Sequence, residues 1–184
     1  RQDASSRFSK DVRNGYFPSA ALAWRIIDEP FMKNAKVFSD FKLRLGYGIT
    51  GQQDGIADYG YIPNYSGSNA TAYYVFGGDT VPLLRPDGYD ANLKWEQTAT
   101  TNFGLDYGFF NGRIYGSIDI YKKVTSDLLA TIPAPAGSNL TNNILTNVGS
   151  IENKGFEFSA NFVPYDSKKF FWETGFNFSI NKNT

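Results

Sequence analysis

The side chains able to do chemistry in this chain are few in kind, and two absences narrow the field at once. Its 184 residues contain no histidine and no cysteine. That removes a Ser-His-Asp triad, a Cys-His pair, a histidine-ligated metal and any disulfide framework. Carboxylates, amines and phenols remain. Asp54, Asp58 and Asp79 are hard oxygen donors of the kind calcium takes, but their spacing is not that of an EF-hand loop; solvated loop carboxylates are the plainer account. Lys94-Trp95-Glu96 sets a cation, an indole and a carboxylate side by side, and a tryptophan at a strand start is more often an interface anchor. Tyr59, Tyr61, Tyr65, Tyr73 and Tyr74 offer rings that stack on sugars or contact a peptide, and packing of a loop on itself explains them equally. Lys42 and Arg44 sit two residues apart. No nucleophile, base and orienting partner converge in this set, so neither an enzyme nor a bound cofactor or metal is expected.

The elements that position these groups are strands. Residues 41–50 read FKLRLGYGIT, a strict alternation that puts Phe41, Leu43, Leu45, Tyr47 and Ile49 on one face and Lys42 and Arg44 on the other. Ten residues rise roughly 33 Å and, tilted by about 45°, span roughly 23 Å, the height of an outer-membrane barrel's apolar band. A slip of one residue would turn both cations toward the apolar side, at about 2–4 kcal/mol each if that side is lipid. The same period recurs. Residues 17–27 (FPSAALAWRII) predict a first strand, and 28–40 contain Pro30 at a short helical turn. Residues 94–109 place Asn102 and Asp106 on the polar face, and 113–123 place Asp119 there. Residues 148–163 add Glu157 and Asn161, and 170–181 add Glu173 and Asn177. Asn111-Gly112 is the hairpin signal between two of these runs, because both central positions of a type I′ turn need positive φ.

Between the strands, 51–93 and 124–147 read as long loops, whereas the other connections are short or compact. In an antiparallel meander this segregates long loops to one rim, as outer-membrane barrels do. Tyr16 and Phe17, Phe109 and Phe110, and residues 170–172 gather aromatics near strand ends. Asn69-Ala70-Thr71 and Asn139-Leu140-Thr141 match the glycosylation acceptor pattern, which a bacterial outer-membrane location makes irrelevant. Eighteen basic residues balance eighteen acidic ones, which argues against nucleic acid as a partner. No apolar run reaches about 18 residues, so a helical membrane protein is excluded. Periodicity alone leaves two readings: a soluble or surface β-module that binds glycans through tyrosine-rich loops, with the faces of 41–49 and 156–162 packed together, or a membrane barrel wall. The strand lengths, the rim asymmetry and the polar faces rich in glycine and uncharged groups favour the wall. Six strands cannot close such a barrel. With no leader before Arg1 and no element after NFSINKNT, a fragment is expected.

Four stretches carry a more specific signal: GYFPSAALAWRI (15–26), FKLRLGYGITGQQDGI (41–56), LKWEQTATTNFGLDYGFFNGRI (93–114) and NVGSIENKGFEFSANF (147–162). Together they resemble the SusC/RagA group of TonB-dependent outer-membrane transporters, in order and over nearly the whole chain. The resemblance implies an all-β antiparallel up-and-down meander, a segment from the C-terminal half of a 22-stranded transmembrane barrel. It implies residence in the outer membrane of Bacteroidetes-type bacteria, in contact with its lipid. It further implies import of oligosaccharides or peptides captured with a SusD-like surface lipoprotein, energised by TonB through an N-terminal part lying outside residues 1–184. Lys42, Arg44, Asn102, Asp106, Asp119, Glu157, Asn161, Glu173 and Asn177 would then face the lumen. The tyrosines of 51–93 would lie among outer loops that touch substrate or lid.

Overall fold

A computed structural model describes residues 1–69 and 71–184, so the central residue of the 69–71 acceptor pattern lies outside the described residues. The chain divides into two compact units. One comprises 17–50, 98–125 and 151–184, and the other 1–16, 51–97 and 126–150. Among the described residues no helix is long and apolar enough to cross a membrane.

The first unit is built on a single sheet of six strands: β1 (Ser19–Arg25), β2 (Phe38–Gln52), β3 (Glu96–Phe109), β4 (Ile114–Ser126), β5 (Ser150–Asp166) and β6 (Phe171–Asn183). They neighbour one another in chain order, which is the expected meander. Five of them exceed twelve residues, well beyond the usual five or six. β1 is shorter than the expected 17–27, because Ile26–Asp28 and Pro30–Met32 are 3-10 turns and Pro30 opens the second of them. The β3–β4 hairpin turns where the Asn-Gly signal placed it. Asn111 and Gly112 have φ of +56° and +80°, and the Arg113 N–H donates to the Phe110 carbonyl at 3.3 Å.

Register keeps the two faces apart. β1 meets β2 with Trp24 opposite Leu43 and Ala20 opposite Tyr47. β5 meets β6 with Phe156 opposite Ile180, Phe158 opposite Phe178 and Glu157 opposite Ser179. A bulge lies between Phe162 and Tyr165, at Pro164, which has no N–H to give the ladder. The apolar face also locks three strands together. Tyr107 of β3 passes over Gly116 of β4 and donates from its hydroxyl to the Ser159 carbonyl of β5 at 2.9 Å. A methyl group on Gly116 would sit 1.9 Å from that carbonyl oxygen and 2.8 Å from the tyrosine oxygen.

Among the described residues of its unit, this sheet has no second layer. Of the six buried hydrophobic residues among those described, only Phe17 and Ala160 belong to its unit. The sandwich expectation therefore fails, since 41–49 and 156–162 lie in one sheet with β3 and β4 between them. Phe17 is 4% exposed, so it is no boundary ring, while Phe110, Phe170, Phe171 and Trp172 are exposed at strand ends as expected.

The second unit corrects the plain-loop reading of 51–93 and 124–147. Tyr65–Gly67 pairs with Leu84–Pro86, Tyr73–Phe76 with Asp79–Pro82, and Leu129–Pro133 with Asn143–Asn147. Gly77 and Gly78, both at positive φ, make the two-residue turn of the second hairpin, a Gly-Gly signal that was legible in the sequence. The unit has its own small core. Trp95 is 6% exposed, its ring lies 4.8 Å from that of Phe8, and its indole N–H donates to the Arg13 carbonyl. It is a core residue and not an interface anchor.

Gly116→Ala tests the tyrosine crossing. It should lower stability by about 1–3 kcal/mol through overpacking against backbone, read as a reduced thermal midpoint in detergent micelles. Gly46→Ala, whose added methyl meets nothing nearer than 3.9 Å, should leave the midpoint unchanged.

Candidate functional site

The polar face of the sheet is the candidate site, and Arg44 organises it. Its side chain leaves β2 and lies across β3, where its Nε and Nη2 donate to the Asp106 carboxylate at 3.0 and 2.8 Å. Nη2 continues to Asp119 on β4 at 3.0 Å. Lys42 Nζ stands 3.8 Å from Asp106. Arg44 reaches β4 because position 104, on the intervening strand β3 two residues before Asp106, is glycine. A β-carbon there would sit 2.7 Å from both the guanidinium carbon and an Asp119 oxygen. The guanidinium fork matches a carboxylate bidentately, a geometry lysine cannot supply. Two cations and two carboxylates leave the group with no net charge.

The rest of the face adds neutral groups and two further carboxylates, Glu157 and Glu173. Ser117 and Ser159 approach to 3.0 Å through their hydroxyls, and the Ser117 N–H donates to the Ser159 hydroxyl. With Asp119, Glu157 and Asn177 they line a groove of about 330 Å³. Asn177 stands opposite Ser159 in register. Asn161 lies opposite Gly175, where a side chain would meet its amide oxygen at 2.7 Å. Glu173 accepts a hydrogen bond from the Tyr115 hydroxyl, and Asn102 flanks Gly46. All nine polar-face residues expected from alternation thus occupy the polar positions of one sheet. Lys42, Arg44, Asp106 and Asp119 form one ionic group, and the others line the surface around it. The Ser117–Ser159 contact and the Tyr115–Glu173 bond were not foreseen, because cross-strand partners depend on a register that alternation does not specify.

The five tyrosines fall differently. Tyr65 pairs with Pro86 in one hairpin, and Tyr73 and Tyr74 lie opposite Pro82 and Val81 in another. Tyr59 has φ of +58° in a turn. Tyr59, Tyr65, Tyr73 and Tyr74 are each more than half exposed, as rings available to a partner must be. Asp58 is bound to Arg7 at 3.1 Å and Asp79 belongs to a hairpin. Among the described residues no three acidic groups gather where a metal ion would sit. The arrangement has no activated nucleophile and no base aimed at a reacting atom. It is a surface of donors and acceptors with a charge-balanced ionic group at its centre, backed by an apolar face.

Comparison with known proteins agrees with that description. The family described as "TonB dependent receptor-like, beta-barrel" matches residues 1–184. The chain is 50% identical over 183 residues to the TonB-dependent receptor SusC of Bacteroides thetaiotaomicron and 39% identical over 184 residues to the TonB-dependent receptor P3 of Formosa agariphila. In each case all of this chain aligns, and it spans 18% of the relative's length. Among solved structures, the RagAB peptide importer in its open-open state superposes with a TM-score of 0.82 at 29% identity, covering 99% of this chain and 19% of that one. The closed-closed state gives 0.81 at 28% identity with the same coverage.

A double-mutant cycle tests the three-strand bridge. Arg44→Gln alone should cost about 1–2 kcal/mol, between the values for exposed and buried pairs. Combined with Asp119→Asn, unfolding in micelles should reveal a coupling of at least about 0.5 kcal/mol; additive effects would show that Arg44 and Asp119 do not interact.

Proposed function

This chain belongs to the TonB-dependent receptor-like β-barrel family, and we propose that it forms part of the barrel wall of an outer-membrane nutrient importer. TonB-dependent receptors are outer-membrane barrels, and the relatives named above are receptors and an importer rather than enzymes. One observation carries the proposal: a single sheet has an apolar face that no described residue of its own unit covers and a polar, hydrogen-bonding face opposite. Phe176, Phe178 and Ile180 of β6 are each about half exposed, and leaving that share of each in water forgoes about 1 kcal/mol apiece, half or less of the value for full burial. Lipid removes that cost. The open edges of β1 and β6 ask for neighbouring strands, since backbone groups in hydrocarbon must all be paired.

In this reading the polar face is the lumen wall. Lys42, Arg44, Asn102, Asp106, Asp119, Glu157, Asn161, Glu173 and Asn177 line the passage. Two cations against four carboxylates leave these nine residues with only a small negative excess, and their many hydrogen-bonding groups suit hydrated polymers, so we assign oligosaccharide or peptide as the cargo class. Peptide has support from the RagAB importer's description, and the 50% identity with SusC places the chain near a second member of the group. The segments 51–93 and 124–147 lie at the outer rim, by the rule that barrel loops are long outside and short in the periplasm. Their exposed tyrosines contact cargo or a SusD-like lipoprotein lid, and TonB acts on a part of the receptor outside this chain. The role of residues 1–184 is passive: they hold lipid off one side and present a wetted surface on the other.

Deleting 55–90 from the receptor, with Tyr73→Ala/Tyr74→Ala as the milder variant, tests the outer-rim assignment. Uptake of oligosaccharide or peptide and co-purification of the lipoprotein should both fall, by about tenfold for the deletion, while barrel insertion persists. Undiminished uptake and capture by both variants would remove these residues from cargo and lid contact.

A further inference from the structure

The apolar face of the sheet does not stay apolar along its length. On β5 and β6 its positions run Phe156, Phe158 and Phe178, Ile180, and then end in two lysines. Lys154 and Lys182 stand directly opposite each other in register. Residues so placed have Cβ atoms roughly 4.5–5.5 Å apart, and like charges directly opposite are destabilising. Lys122, on the same face of β4, completes a triangle: its ammonium lies 2.8 Å from Glu152, which also pairs with Lys154. Glu152 is the one acidic side chain paired with this triangle among the described residues, and Lys182 has no ion-pair partner among them. The cluster therefore carries two positive charges in excess. Below it, toward the middle of the strands, the same face forms a shallow groove of about 480 Å³ whose floor includes Ile120, Phe156 and Ile180.

An ammonium cluster above an apolar furrow is complementary to one chemical class, an anionic amphiphile. We propose that this surface seats a membrane lipid with a phosphorylated headgroup, its phosphate held by Lys122, Lys154 and Lys182 and an acyl chain lying along Ile120, Phe156 and Ile180. The inference rests on the barrel-wall reading and goes beyond it by assigning the wall a preferred lipid at one place. The three lysines sit at the ends of β4, β5 and β6 farthest from the short turns, which puts them at the headgroup level of the outer leaflet. Lysine supplies compact point charges that suit a phosphate approached from several directions, and each lysine near a charged lipid surface adds an attraction of useful size. A phosphate would neutralise the excess and relieve the Lys154–Lys182 repulsion, which Glu152 alone does not. Lysines lifting their ends toward water would sit at the same depth, but that behaviour selects no lipid and needs no groove.

The test uses the whole receptor, extracted in detergent and mixed with equimolar phosphatidylglycerol and phosphatidylcholine, with retained lipid counted by native mass spectrometry. The unaltered receptor should retain phosphatidylglycerol in preference. Lys154→Gln/Lys182→Gln should lower that retention about tenfold. Lys168→Gln/Lys169→Gln removes the same charge at the β5–β6 turn and should leave retention unchanged. Glu152→Gln raises the excess to three and should increase retention, which keeps the proposal decidable if the double variant does not fold. Equal retention across the variants, or equal loss from the turn variant, overturns the site. So does full displacement of the lipid by inorganic phosphate at equal concentration, since the furrow would then contribute nothing. A receptor absent from the outer-membrane fraction would instead overturn the barrel-wall reading, and this inference with it.

Discussion

Arg44 reaches from β2 over β3 to β4, and that one crossing fixes which residues of three strands share a face. A strand has only two faces, so placing Arg44, Asp106 and Asp119 together places Leu43, Leu45, Leu105, Tyr107, Ile118 and Ile120 together on the other side. A slip of one residue at any of these ladders would separate the charges and put one of them among the phenylalanines. The ionic group works less as a source of net stability than as a register pin, since half-exposed ion pairs contribute modestly. Tyr107 does the corresponding work on the opposite side, crossing Gly116 to reach β5. Both crossings pass over a glycine, because a methyl group at either position would displace the side chain lying there.

The functional reading follows from that division. A soluble protein of this size covers an apolar sheet face with a second layer, and the described residues of this sheet's unit supply none. Few large side chains are buried in its unit, yet its long strands are regular and its hydrogen-bonded neighbours run in simple order. These properties are costly in water and ordinary in a bilayer, where the apolar face meets hydrocarbon and only backbone pairing must be complete. The polar face needs no catalytic geometry to matter. Its two cations are both paired with carboxylates, so what it offers a cargo is chiefly hydrogen bonds.

The lysine triangle shows that the lipid-side face is itself differentiated along the strand. Its apolar middle and its basic end follow from positions that alternate identically, so a face drawn by period alone treats them as equivalent. Only the register of β5 against β6 makes Lys154 and Lys182 neighbours, and only the closeness of β4 brings Lys122 to them through Glu152.

Much of the architecture was legible in the residues. Alternation in 41–50, 101–109 and 156–162 marked the strands, Asn111-Gly112 marked the turn, and the nine polar-face residues were assigned correctly to one side. These are local properties, set by the two-residue period and by the φ a turn demands. The boundaries of β1, the hairpins inside 51–93 and 124–147, and the burial of Phe17 and Trp95 were not assigned that way. The end of β1 and the Gly77-Gly78 turn carry local signals in Pro30 and the glycine pair, whereas the burials depend on partners distant in sequence: Trp95 reads as a boundary ring until Phe8 and the Arg13 carbonyl are seen beside it. The sequence by itself determined that a sheet exists and which side of it is wet. Tertiary structure decided that no described residue of its own unit covers the dry side and which charges meet across strands, because register and layering are set by long-range pairing that no single segment encodes.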